Sequence, residues 1–134
     1  MERAEVKYPS MRAELVEYLR GLSDRDYQQS AWVEHNYPPP VKYDDLDMAI
    51  HFLFDDTNLS DDAEDSIGWF LYDESEAGLV SAVTRALDAV FDKYGLGESD
   101  EFYIHTKEWD AVLTAARAAH SALVARDPGH FGDN

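Results

Sequence analysis

From Tyr43 to Glu76 the chain carries twelve carboxylates and no lysine or arginine. The same stretch holds Leu46, Ile50, Phe52, Leu53, Phe54, Trp69, Phe70, Leu71 and Tyr72. No other part of the sequence restricts the fold as strongly. The acids call for water or a positive partner, and the apolar residues between them call for a core. Any element built here needs one apolar side and one acidic side.

The imbalance extends to the whole chain, where 28 acids oppose 11 bases for a formal charge of −17. Such an excess repels nucleic acid and anionic lipid, and it destabilises the compact state by self-repulsion while keeping the protein soluble. Two readings fit it: a merely solvated surface, and electrostatic steering toward a basic partner. An aromatic content of 13% separates the chain from disordered acidic segments, which lack the apolar residues to form a core.

The size of 134 residues suits one domain, 1–134, with residues 1–9 and 127–134 expected as mobile ends. The absence of Cys excludes disulfides and thiolate metal sites. No signal-peptide core is visible near Met1, and no apolar run approaches the roughly 20 residues of a membrane helix. The expectation is a mature, soluble, cytoplasmic protein.

Helical periodicity dominates the chain. Met11, Leu15, Leu19 and Leu22 recur at helical spacing behind Ser10 as N-cap, and Gly21 is expected to close that helix in the left-handed region. Ser23 is expected to cap a second, short helix. His35 to Pro40 holds three prolines and predicts a stiff, polyproline-like connector. Capped by Asp44 or Asp45, the segment 45–54 fits both a strand alternation and a helical stripe, with helix favoured by length and the acidic first turn. Residues 55–66 are turn-rich, with a turn or two of helix expected near Asp62. Asp73-Glu74-Ser75-Glu76 reads as a capping box, and Leu79, Val80, Val83, Leu87, Val90, Phe91 and Tyr94 continue the helix to Gly95. A short helix or turn is expected over 99–104. Trp109, Val112, Leu113, Ala116, Leu123 and Val124 mark a last helix ended by Asp127-Pro128-Gly129. The fold class is therefore all-α: a compact bundle of about five to six helices, two of them long, about 74–94 and 107–126.

Motifs for chemistry are missing. Aligned as a Ca²⁺ loop from Asp56, the chain offers Asn58 and Ser60, but it has Asp61 where glycine is required and Ile67 where a bidentate Glu is required. No two of His35, His51, His105, His120 and His130 are spaced as a helical zinc pair; His51 and Asp55 are four apart and suit a local ion pair. No nucleophile elbow and no phosphate-binding loop occurs. Lys and Arg are scattered singly, which argues against direct nucleic-acid binding. The expectation is a non-enzyme with no cofactor and no metal.

His51-Phe52-Leu53-Phe54-Asp55-Asp56-Thr57, Ile67-Gly68-Trp69-Phe70-Leu71-Tyr72-Asp73-Glu74, Leu87-Asp88-Ala89-Val90-Phe91-Asp92 and the late Trp109 together resemble a family of small acidic actinobacterial proteins of unknown function. The opening Leu22-Ser23-Asp24-Arg25-Asp26-Tyr27-Gln28, followed by Trp32, is also similar. The resemblance implies no activity. By size and charge alone, these proteins look like bacterial immunity proteins and antitoxins.

The functional expectation is accordingly an acidic protein-binding module, of the immunity or antitoxin type, that neutralises a basic protein such as a nuclease toxin. The alternatives are a DNA mimic that occupies a nucleic-acid-binding protein's groove, and a helical domain whose charge serves only solubility. Candidate contact residues are Tyr43, Asp44, Asp45, Asp47, Asp55, Asp56, Asp61, Asp62, Glu64, Asp65 and Tyr72, with Tyr37 and Trp69 as further aromatic candidates; Trp69 is expected more in the core than outside it.

Overall fold

In a computed structural model, which describes residues 6–126, these residues form seven α-helices and no strand. They are α1 (Pro9–Leu22), α2 (Arg25–Tyr27), α3 (Leu46–Ile50), α4 (Leu59–Asp62), α5 (Glu74–Tyr94), α6 (Asp100–Ile104) and α7 (Trp109–Arg126). Two of the short helices run on into π turns, α2 into Gln28–Val33 and α3 into His51–Asp56, and α4 passes into a 3₁₀ turn, Ala63–Ser66. The all-α class stands, with α5 spanning the expected 74–94. The expected stop at Asp127-Pro128-Gly129, the mobile end 127–134 and residues 1–5 lie outside the described residues.

α7 packs along both α5 and α1, and the α4 region covers α5 from another side. The α7 stripe Trp109, Val112, Leu113, Ala116, Ala119 and Leu123 is buried, as are Leu15, Val16, Leu19 and Leu22 of α1 and Val80, Val83, Leu87 and Val90 of α5. Alanines at 116 and 119 let the helix axes approach, since a small side chain widens no gap between them.

One buried ion network joins the three long helices. Glu76, in the first turn of α5, is fully buried, and Arg12 of α1 is 2% exposed. Arg12 Nη1 and Nη2 donate to Glu76 Oε1 and Oε2, both at 2.8 Å, in a bidentate pair. The Tyr72 backbone N–H donates to Oε1 at 2.7 Å, and Arg126 Nη1 at the end of α7 donates to Oε2 at 3.0 Å. Arg126 also holds Asp73, at 3.1 and 2.7 Å. The Tyr72 ring lies 3.7 Å from the Arg12 guanidinium carbon and 5.5 Å from that of Arg126, so two cations sit against one aromatic ring.

This network revises several local expectations. Asp73 does cap α5, accepting from Glu76 N at 3.2 Å. Glu76, however, completes no reciprocal box with the cap residue's own N–H; it bonds the preceding residue's N–H and the two arginines. Gly21 lies inside α1 rather than ending it, and α1 terminates at Ser23 with φ −94°. Asp24, not Ser23, caps α2, because Ser23 Oγ instead donates to Arg20 O at 2.8 Å. Pro9 occupies the first turn of α1, ahead of the expected cap Ser10, as a residue without an N–H suits that position. Residues 7 and 8, expected in the loose leader, are tied by backbone bonds to Gly68 O and Trp69 O at 3.0 and 2.7 Å. The 35–40 connector is not uniformly extended: His35 has φ 59°, and Val41 N closes a turn on Pro38 O at 2.7 Å. α7 begins at Trp109, because Thr106–Glu108 form a turn in which Glu108 is drawn to Lys93 and Tyr94.

Replacing Glu76 by Leu should take the bidentate carboxylate away from the buried Arg12 and cost about 3–5 kcal/mol in urea unfolding. A cost below about 1 kcal/mol would show that the network is incidental. The double variant Arg12→Met, Glu76→Leu should recover a large part of that loss, since an apolar pair of similar volume replaces two buried ions.

The pH response follows from the same bonds. Hydrogen bonds from Arg126, then from the Glu76 N–H, hold the Asp73 carboxyl down at about 2, below its ordinary 3.8. A depressed carboxylate contributes stability above its unfolded value and loses it as pH falls through the folded one. The Asp73 contribution should therefore disappear between about pH 4 and 2. Thermal melts should show wild type losing more stability over that window than Asp73→Asn; parallel curves would contradict this.

Candidate protein-binding face

The exposed side of the 55–70 region is built by one tight turn. Gly68 takes φ 89°, a conformation a side chain would strain. The Ser66 carbonyl then accepts from the N–H groups of Trp69, Phe70 and Leu71 at 3.0, 3.1 and 3.1 Å, and Gly68 N bonds Leu71 O at 2.8 Å. The turn sends Phe70 and Leu71 into the core and Trp69 outward, where it is 45% exposed. Trp69 is thus not the core residue its apolar neighbours suggest. Tyr8 stacks on it at 5.5 Å with an interplanar angle of 11°, and Lys7 Nζ lies 4.8 Å from its ring.

Beside this stack runs a groove of about 290 Å³, floored by Met11, Phe70 and the two aromatic rings and edged by Asp56 and Asp65. Asn58 Nδ2 donates to Asp65 at 2.8 Å, and Thr57 Oγ1 donates to Phe52 O at 2.7 Å, so the polar edge is ordered by its own side chains. The π turn His51–Asp56 delivers Asp56 to that edge while Phe52 and Leu53 stay buried. His51 Nδ1 pairs with Asp55 at 2.8 Å, the local ion pair expected from their spacing.

The candidate residues therefore divide. Asp56 and Asp65 meet at the groove. Asp61, Asp62 and Glu64 line a separate polar cleft of about 230 Å³ with Glu74 and Arg85. Asp62 also caps the 3₁₀ turn by accepting from Glu64 N at 3.1 Å. Asp45 caps α3 through Met48 N, and Asp47 lies 3.8 Å from His51. Asp44 is structural: its Oδ2 accepts from Tyr27 Oη at 2.6 Å and from Trp32 Nε1 at 3.2 Å, which joins the α2 region to the segment before α3. Tyr72, half-buried between Arg12 and Arg126, belongs to the ion network rather than to a free contact surface. Tyr43 is exposed, with its hydroxyl bonded to Asp45 and its own titration pushed up to about 12 by that bond. Asp56, Asp61 and Glu64 have no side-chain bond among the described residues. Tyr8 carries no signal in sequence and Met11 only that of the α1 stripe; the pairing of residues 7 and 8 with the Gly68 turn sets Tyr8 at the groove.

Among the described residues no three His, Asp or Glu side chains converge as a cation site would require, and no helix is long and apolar enough to cross a membrane. Fold and surface together define an acidic, all-α domain with an aromatic groove edged by carboxylates. A family model described as a domain of unknown function, DUF7945, matches residues 6–130, and the chain belongs to that family. No curated protein and no solved structure matches it.

Truncating Trp69 to Ala should cost less than about 1 kcal/mol, as its ring is half in water, whereas Trp109→Ala in the core should cost about 3–5 kcal/mol. Urea denaturation compares the two directly. Equal losses would make Trp69 a structural residue.

Proposed function

We propose that this protein is an acidic protein-binding module whose Trp69 groove receives a basic segment of a protein partner, as an immunity or antitoxin protein would. The observation that carries the reading is Trp69 itself. It is a large aromatic side chain held outward by a tight turn, beside an apolar floor and two carboxylates. Aromatic anchors ringed by polar groups are what protein interfaces employ as hot spots. The surplus of negative charge supports the same reading, because it accelerates encounter with a basic surface and repels acidic ones. On this reading the protein acts in the cytoplasm, meeting a toxin where the toxin would do harm.

Affinity isolation from the source organism tests the proposal. Wild type should retain a basic protein whose association rate falls steeply with salt. Trp69→Ala should weaken that complex by about 2 kcal/mol or more, chiefly through faster dissociation. Asp56→Asn with Asp65→Asn should slow association and flatten its salt dependence. Retention unchanged by all three substitutions would reject the groove as the contact. Competition between duplex DNA and this protein for the captured partner would favour the DNA-mimic reading instead.

A further inference from the structure

A second cleft, of about 280 Å³, opens between α1, α2 and the segment 41–48. It differs from the Trp69 groove in what walls it. Three tyrosines, Tyr18, Tyr27 and Tyr43, surround it with Val41 and Met48, and Gly21 of α1 forms part of its floor. Its charged wall consists of Glu14, Glu17 and Asp44 against the single cation Arg20. Arg20 is already engaged by Glu17, to which its Nε and Nη2 both donate. The cleft therefore combines aromatic surface with a net negative field.

The hydrogen bonds narrow the choice of ligand. Tyr27 Oη donates to Asp44 and Tyr43 Oη donates to Asp45, so both phenol protons are committed to carboxylates. Asp44 Oδ2 accepts a further bond from Trp32 Nε1, and Glu17 Oε1 is held by Arg20. Of the charged wall only the Glu14 carboxylate is left without a bond among the described residues, so what the site offers a ligand is chiefly net negative charge, ring surface and apolar contact. A cation that donates no hydrogen bonds and carries an apolar shell fits that set; a strongly hydrated one does not. The Tyr18 hydroxyl reports the field: burial first, then Glu14, Asp44, Asp56 and Asp45, all push its titration upward.

We propose that this cleft binds a small quaternary ammonium compound, its alkyl groups against Tyr18, Tyr27, Tyr43 and Met48 and its charge balanced by Glu14, Glu17 and Asp44. The position of Gly21 is consistent with such a use. A Cβ at residue 21 would stand 3.4 Å from Tyr27 Cε2 and 3.8 Å from Asp44 Oδ2, so a methyl group there enters the cleft in ordinary contact and takes up its space. Alanine would otherwise favour an α-helix over glycine by about 1 kcal/mol, so the position forgoes helix stability where the cleft needs room.

Choline is the probe, and its uncharged isostere 3,3-dimethylbutan-1-ol is the control, each titrated into the whole chain and followed by amide chemical-shift changes. Choline should bind saturably at about 1 mM or tighter, with shifts centred on residues 14–27 and 41–48, and the neutral alcohol should bind about tenfold more weakly. Gly21→Ala should fold at least as stably as wild type yet lose most of the choline affinity. Glu14→Gln, at an exposed position, should weaken choline severalfold and leave the alcohol unaffected. The proposal is overturned if choline gives no saturable shift up to about 20 mM, if the alcohol binds equally well, or if neither substitution changes choline binding.

Discussion

The fold depends on one carboxylate placed where no water reaches it. Glu76 lies in the first turn of α5 and is met by an arginine from α1 and by Arg126, the last residue of α7. Without these cations its burial would cost several kcal/mol, and without Glu76 between them the two arginines would repel each other across the Tyr72 ring. α7 lies along both α1 and α5, and the network clamps the end at which all three helices come together. A pair of this kind adds little net stability compared with an apolar substitute, but it permits only one register of the three helices, because a shifted register strands a charge.

Elsewhere the fold manages its negative charge by giving acids local tasks. Asp24, Asp45, Asp62 and Asp73 accept backbone N–H groups at helix or turn starts, where the helix dipole also favours an anion. Asp44 joins Tyr27 to Trp32 from inside the structure. Asp100 accepts from Leu46 N at 3.1 Å and is half-buried, so burial, and then Asp45, Asp47 and Asp44, raise its titration; it is an acid that the folded state tolerates rather than welcomes. Among the candidate contact acids, Asp56, Asp61 and Glu64 have no such task, and a positive partner could engage them at least structural cost.

Much of this was legible beforehand. The α5 span, its Asp73 cap and its Gly95 terminus, with φ 80°, all follow from local rules acting within one turn of helix. The helical choice for 45–54 also held, although the helix continues as a π turn that no periodicity argument anticipates. Errors fell where a side chain answers to something distant. Gly21 looked like a helix end and lies instead inside α1, facing Tyr27. Asp44 looked like a helix cap or a contact residue and is instead held by two aromatic donors, one before and one after the π turn's start. Glu76 looked like half of a capping box and is the centre of an ion network, because the partners that claim it lie 64 and 50 positions away.

The sequence by itself determined the helical class, the negative field and the bounds of α5, since periodicity, composition and capping act over a few residues. Tertiary structure alone decided which of the acids stay free and which aromatics face water. Trp69 turns outward because Gly68 adopts a left-handed φ and because residues 7 and 8 bond to the turn from the far end of the helix order. Tyr18, Tyr27 and Tyr43 surround one cleft because α1, α2 and the 41–48 segment pack together. Such groupings depend on contacts between residues far apart in the chain, and no local pattern encodes them.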